Sequence, residues 1–204
     1  MKKMMIVLAL ASISFASAQK GTVLVAGNVG FSSQKINTSE SEAKQNIFGI
    51  SPKVGYQYND NWTVGIQSSA TFLNGESSST NNGSSSADNL SNYYSVGPFV
   101  RYAKPLNDTF AVYADLVTSY NFGSTRYNSS ISTSTVKSSG FGIGITPALQ
   151  INIKKGFGLN FGFGGLGYNS NKTTAQNTSD NPQKTKIFEF NFGQSFNAGI
   201  SKNF

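Results

Sequence analysis

Neither cysteine nor histidine occurs anywhere in the chain. Without them the commonest general base, the thiolate nucleophile and the soft metal ligands are missing, so the usual hydrolytic and redox chemistries are disfavoured. The lack of cysteine also leaves no thiol for a lipid anchor and no disulfide framework. Charge is scarce: only 12% of residues are charged, against about 25% in ordinary soluble domains. The cations are scattered and do not form the aromatic-interleaved basic patch of a nucleic-acid surface. Long apolar runs are absent as well. Met4 to Phe15 is the most extended one, short of the roughly 20 residues a membrane helix needs. A chain of this kind enters a bilayer only as a closed barrel.

Glycine, serine and asparagine fill the space that charge leaves. The first residues have the layout of a secretory signal: Lys2 and Lys3, the apolar run, then Ala16-Ser17-Ala18 as a small-residue cleavage site. The expected organisation is a cleaved signal at 1–18 and a single β-barrel domain at 19–204. Removing Lys2 and Lys3 takes the net charge from +7 to +5, with 14 basic residues against 9 acidic.

The dominant pattern is alternation with period two, plainest in the stretch Lys186 to Phe204. Phe188, Phe190, Phe192, Gln194, Phe196, Ala198, Ile200, Lys202 and Phe204 share one face, and the intervening positions are polar or glycine. The same pattern recurs from Val23, Phe48, Trp62, Tyr94, Phe110, Phe141 and Phe157, which predicts eight strands. Short connections at Asn59–Asn61, Lys104–Asp108 and Lys154–Gly156 alternate with long Ser/Asn-rich ones at 33–45, 74–89, 123–138 and 169–185. The latter read as loops, that at 74–89 as a mobile one. Pro52, Pro98 and Pro147 recur in matching contexts at spacings of 46 and 49 residues, and one further step lands near Gln194. The repeating unit is therefore a hairpin present four times.

Alternation alone does not say which face is inside. A soluble lipocalin-like barrel would bury the apolar rows; a membrane barrel would turn them to lipid. Three features favour the second: the polar face is small-sided, the apolar face is continuous over all eight strands, and Tyr58, Trp62, Tyr102, Phe110 and Phe157, with Phe204, flank the short turns like an aromatic girdle. The expected fold is thus an all-β, eight-stranded antiparallel up-and-down transmembrane β-barrel with short periplasmic turns and long extracellular loops.

The signal, the eight alternating strands, the three short turns and the terminal Phe204 resemble the small outer-membrane β-barrel proteins, the OmpA/OmpX-like group. The resemblance implies an integral bacterial outer-membrane location. It also implies that Phe196, Ile200 and Phe204 form a C-terminal signal for the barrel assembly machinery, interrupted by Lys202.

Four charged residues fall on the inward phase, Lys53, Arg101, Asp115 and Glu189. An unpaired charge in a narrow lumen costs several kcal/mol, so they are expected to form an interior network, with Lys53 meeting Asp115. Gly162-Phe163-Gly164-Gly165-Leu166-Gly167 has the GxGxxG spacing of a dinucleotide site but lacks the helix that such a site requires. No catalytic residue, cofactor or metal is expected. The function read from these residues is non-enzymatic, structural, adhesive or surface-interacting through the loops. The partners expected are outer-membrane lipids, with Lys172, Lys184 and Lys186 as candidates for lipid phosphates, lipopolysaccharide among them. The alternatives are a narrow gated channel or solute-binding barrel, and a secreted soluble barrel.

Overall fold

The computed structural model describes residues 21–79, 85–129, 132–153, 156–175 and 182–204, without the side chains of 85 and 194–197. The expected signal at 1–18 lies outside them. Eight strands form one closed antiparallel barrel in sequence order. They are β1 (Thr22–Asn37), β2 (Ser41–Gln57), β3 (Trp62–Ser79), β4 (Ser85–Pro105), β5 (Phe110–Ser129), β6 (Thr133–Asn152), β7 (Phe157–Ala175) and β8 (Gln183–Asn203).

The barrel is inverted relative to a soluble one. Large apolar side chains are exposed on the outside of every strand, Val29, Val54, Ile66, Val96, Leu116, Ile143, Leu166 and Ile200 among them. The buried set is mostly polar: Thr22, Gln57, Thr63, Ser91, Arg101, Asp115, Thr125, Asn160 and Ser201. This outward apolar surface suits hydrocarbon and rules out the soluble reading.

Two aromatic belts bound that surface. The inner belt is the one the sequence predicts, with Trp62 and Tyr102 opposite one another on β3 and β4 and their rings 4.9 Å apart. Adjacent turns hold it in place: Asn59 Oδ1 accepts from the Asn61 and Trp62 amides, and Asn107 Oδ1 accepts from the Thr109 and Phe110 amides. The outer belt is not among the sequence expectations. Phe48, Phe72, Tyr94, Phe122, Tyr120 and Phe141 form a continuous chain of ring contacts at 5.1–6.5 Å across β2 to β6. Tyr168 and Phe188 face each other on β7 and β8, and Phe31 faces Phe48 on β1 and β2. On β3 the belts are marked by Trp62 and Phe72. That separation is about 33 Å of strand at roughly 3.3 Å per residue, or about 25 Å across a layer at a tilt near 40°, the height of a membrane barrel's apolar band.

The polar stretches expected to be loops are largely strand. Segments 33–37, 41–45, 74–79, 85–89, 123–129, 133–138, 169–175 and 183–185 all lie within the eight strands. Above the outer belt both faces meet water, so the apolar alternation that reveals a strand disappears while the ladder continues. Residues 80–84, part of the supposed mobile loop, lie outside the described residues.

Each of the three repeat prolines lies in an even-numbered strand. Pro52, Pro98 and Pro147 pair with Gly27, Ile66 and Ala114 of the preceding strand. The ladder to the following strand skips each of them, resuming at Lys53, Phe99 and Ala148. A proline has no N–H to give, and here the missing donor falls on one side only. In the fourth repeat, the register between β7 and β8 jumps from Gly164↔Phe192 to Gly162↔Asn197. Gly164 and Gly193 take positive φ of 95° and 76° at this bulge, which only glycine adopts readily. The bulge inverts the phase of β7: Leu159 faces out below it, and Leu166 and Tyr168 face out above. The unbroken alternation expected along β7 and β8 is therefore corrected at this point.

Candidate functional site: the lumen and the outer rim

The inner half of the lumen is filled by side chains from β2 to β5. Phe99 on β4 is 2% exposed, and it packs where Gly55 and Gly65 on β2 and β3 leave room. A Cβ on Gly55 would lie 2.9 Å from the Phe99 ring, and one on Gly65 2.7 Å from it. Beside the ring sits an ion triad. Arg101 and Asp115 are opposite one another in register on β4 and β5. The guanidinium donates from Nε to Oδ1 at 2.7 Å and from an Nη to Oδ2 at 3.0 Å. Lys53 of β2 donates across the interior to Asp115 Oδ2. Aromatic faces complete the environment, with Arg101 3.7 Å from the Tyr113 ring centroid and Lys53 4.8 Å from that of Phe99. Such planar, bidentate, ring-stacked geometry is what arginine supplies and lysine does not.

Above the triad lies a cavity of about 470 Å³, its wall made largely of amide, hydroxyl and glycine positions. Glu189 lines it from β8, opposite Gly167. Of the four inward charges read from the sequence, the structure brings Lys53, Arg101 and Asp115 into contact. Glu189 has no ion pair with them among the described residues. Higher still, hydroxyl groups of neighbouring strands join along the inner wall, Ser69 to Ser95 at 2.7 Å and Ser91 to Thr125 at 2.9 Å, each a register pair. Among the described residues no group of three metal-ligating side chains comes together.

On the outside, Lys202 explains its place in the apolar row of β8. Its ammonium lies over the rings of Phe157 and Phe204, 4.7 and 4.3 Å from their centroids. The cation is thus held in the inner aromatic belt. Ile200 faces out beside it, opposite Leu159; the side chain of Phe196 lies outside the described residues.

The outer rim carries a feature that the sequence shows only in part. Arg126, Lys137, Lys172, Lys184 and Lys186 are exposed, in phase with the outward aromatics of β5 to β8 and just above the outer belt. The described acids of these strands, Asp115 and Glu189, both line the lumen cavity. Lys172 and Lys184 are direct cross-strand partners, a like-charge pairing that is destabilising on its own. Arg126 and Lys137 fall in a stretch that reads as loop from sequence, where strand phase has no meaning.

Residues 5–201 match the family model described as an outer membrane protein beta-barrel domain. No curated protein matches. Among solved structures the chain is similar to Ail, the attachment invasion locus protein of Yersinia pestis, with a TM-score of 0.46 and 16% identity over 91% of this chain and 100% of that one. A major outer membrane protein of Thermus thermophilus follows at 0.42 and 12%, over 91% and 100% of the two chains. The transport unit of the autotransporter AIDA-I of Escherichia coli aligns at 0.40 and 10%, over 99% and 82%. With the family model covering nearly its whole length, the chain belongs to the outer membrane protein β-barrel domain family and is an integral protein of the outer membrane.

Proposed function

We propose that the protein is a non-enzymatic surface-interaction barrel, acting through the polar hairpins that project beyond the outer aromatic belt. The observation that carries this reading is the packed inner half of the lumen. Phe99 and the Lys53–Asp115–Arg101 triad occupy the cross-section that a pore would need, as expected of an eight-stranded barrel. Asp115 is saturated by its two cations, which removes it as an acid or base.

The partner chemistry follows from the rim. Five exposed cations in phase on β5 to β8, just above the outer belt, support a phosphate-bearing lipid surface as the partner. Juxtamembrane cations gain about 1 kcal/mol each from an anionic surface. Phosphate-bearing lipid, lipopolysaccharide included, is the partner these residues fit, and it offsets the Lys172–Lys184 repulsion.

The test is planar-bilayer recording of the purified full chain. Silence at all voltages is expected; discrete conductance steps in the unmodified protein would replace this reading with that of a narrow channel.

A further inference from the structure

Between the outer aromatic belt and the cationic rim, the outer wall of β4 to β7 is hollowed into a groove of about 440 Å³. It lies over two neighbouring cross-strand rows. The lower row runs Tyr94↔Phe122↔Ser139↔Lys172, and the upper one Asn92↔Ser124↔Lys137. All seven residues are on the outward phase of their strands and line the groove. The hollow has a cause in the sequence. Ser124 and Ser139 are short and half-buried, and they stand between the rings of Tyr94 and Phe122 on one side and two long lysines on the other.

The lining is graded from the membrane side to the water side. Its floor is the stacked pair Tyr94 and Phe122, both exposed, with ring centroids 5.4 Å apart. Next come neutral hydrogen-bonding groups, the hydroxyls of Ser124 and Ser139 and the Asn92 amide. Lys137 and Lys172 close it, diagonal neighbours on β6 and β7. Diagonal positions are about 7–8 Å apart, so two long side chains there reach a single anion. Among the described residues no acid lines the groove, and neither lysine is in an ion pair. Ring, hydroxyl, cation is the order in which a lipid presents its chain, its ester region and its phosphate.

We infer that the groove seats one membrane amphiphile bearing a phosphate monoester. Its phosphate lies between Lys137 and Lys172, its ester region against Ser124 and Ser139, and its first methylenes over Phe122 and Tyr94. Charge selects the head group. Two unmatched cations balance a monoester, which carries about −1.5 to −2 near neutral pH, better than a phosphodiester with its single charge. The inference rests on the reading of the rim as phosphate-facing, and it narrows a general attraction to one seat with a preferred occupant.

The test is native mass spectrometry of the full chain in detergent micelles at pH 8, with dioleoyl phosphatidic acid as the monoester and dioleoyl phosphatidylglycerol as the diester. One phosphatidic acid is expected to be retained, and phosphatidylglycerol to be held about fivefold more weakly, the effect of one charge fewer. Lys137→Gln and Lys172→Gln should each weaken phosphatidic acid about fivefold. Ser139→Phe keeps both lysines but fills the hollow, so it should leave the two lipids equally held. Heat-dependent gel mobility verifies that the variants are folded. Inorganic phosphate in tenfold excess is expected to leave the complex intact; displacement would mean a bare anion site with no use for the aromatic floor, and would overturn the proposal. A preference for the monoester that survives Ser139→Phe would overturn it as well. Equal retention of both lipids by the unmodified chain would do the same while leaving the rim as a surface that attracts lipid phosphate at large. Retention of neither would remove the phosphate reading of the rim, and the groove with it.

Discussion

Arg101 and Asp115 oppose each other on neighbouring strands and are joined by two hydrogen bonds, of 2.7 and 3.0 Å, inside a barrel whose outer surface is apolar. They are 4% and 3% exposed. A buried pair of this kind stabilises weakly compared with an apolar replacement, but breaking it strands a charge. Asp115→Asn would leave both Arg101 and Lys53 without a counter-charge. It is expected to lower stability by about 3–5 kcal/mol, measured by urea unfolding in lipid vesicles. The triple change Lys53→Met, Arg101→Met and Asp115→Leu is expected to recover most of that loss. If the triple variant is as unstable as Asp115→Asn, the triad holds the fold by something other than mutual neutralisation.

Phe99 gives a second, apolar prediction. Phe99→Ala opens a cavity in the inner lumen and is expected to cost about 3–5 kcal/mol. Gly55→Ala places its methyl 2.9 Å from the ring and 2.8 Å from Thr63 Cγ2, so it is destabilising alone. Combined with Phe99→Leu, its cost should shrink in part, because the ring atom has gone while Thr63 Cγ2 and the Val64 carbonyl oxygen stay. A double-mutant cycle with additive costs would mean that the glycine is required by Thr63 and the backbone and not by the ring.

The sole tryptophan reports depth directly. Trp62 lies in the inner belt, so its fluorescence should be quenched more by lipids labelled near the head group than by lipids labelled at the chain end. Moving the reporter with Trp62→Phe and Phe72→Trp should give the same shallow profile from the opposite leaflet. A deep profile for either would break the two-belt assignment.

Much of this was legible in the sequence because lipid imposes a strict rule: every second residue of a spanning strand must be apolar. Eight strands, the inner girdle and the Lys53–Asp115 contact all follow from phase. Legibility ends where that rule stops acting. Above the outer belt both faces are wet, and strands such as 74–79 and 85–89 read as loop. Phase is also lost at bulges, since Gly164 shifts β7 by one residue with no outward change in composition. The short β1–β8 register, Leu24↔Asn203 to Gly27↔Ile200, was invisible because strand pairing depends on closure geometry, to which neither strand's own pattern refers.

Ile66 tests which side faces lipid. It is 63% exposed and lies between Trp62 and Phe72 on β3, near the middle of the apolar band. Ile66→Lys is expected to cost about 2–4 kcal/mol in vesicles, the midplane value for a lipid-facing cation. At an exposed site in water the same change would stay within about 0.5 kcal/mol, so the measurement separates the two surroundings cleanly.

The rim pair makes a prediction whose sign depends on the lipid. Lys172 and Lys184 are cross-strand partners, so Lys184→Glu replaces repulsion with attraction. In a zwitterionic detergent the variant should be more stable by about 0.2–1 kcal/mol. In vesicles rich in phosphate-bearing anionic lipid the substitution removes one cation and adds an anion at the surface. At about 1 kcal/mol per charge, the loss then exceeds the gain, and the order of stabilities should reverse. Because the lipid contribution is screened by salt and falls off within a Debye length, the reversal should fade at high ionic strength. A variant more stable than the parent in both environments would show that the cations do not engage lipid phosphate, and that this partner does not belong to the protein.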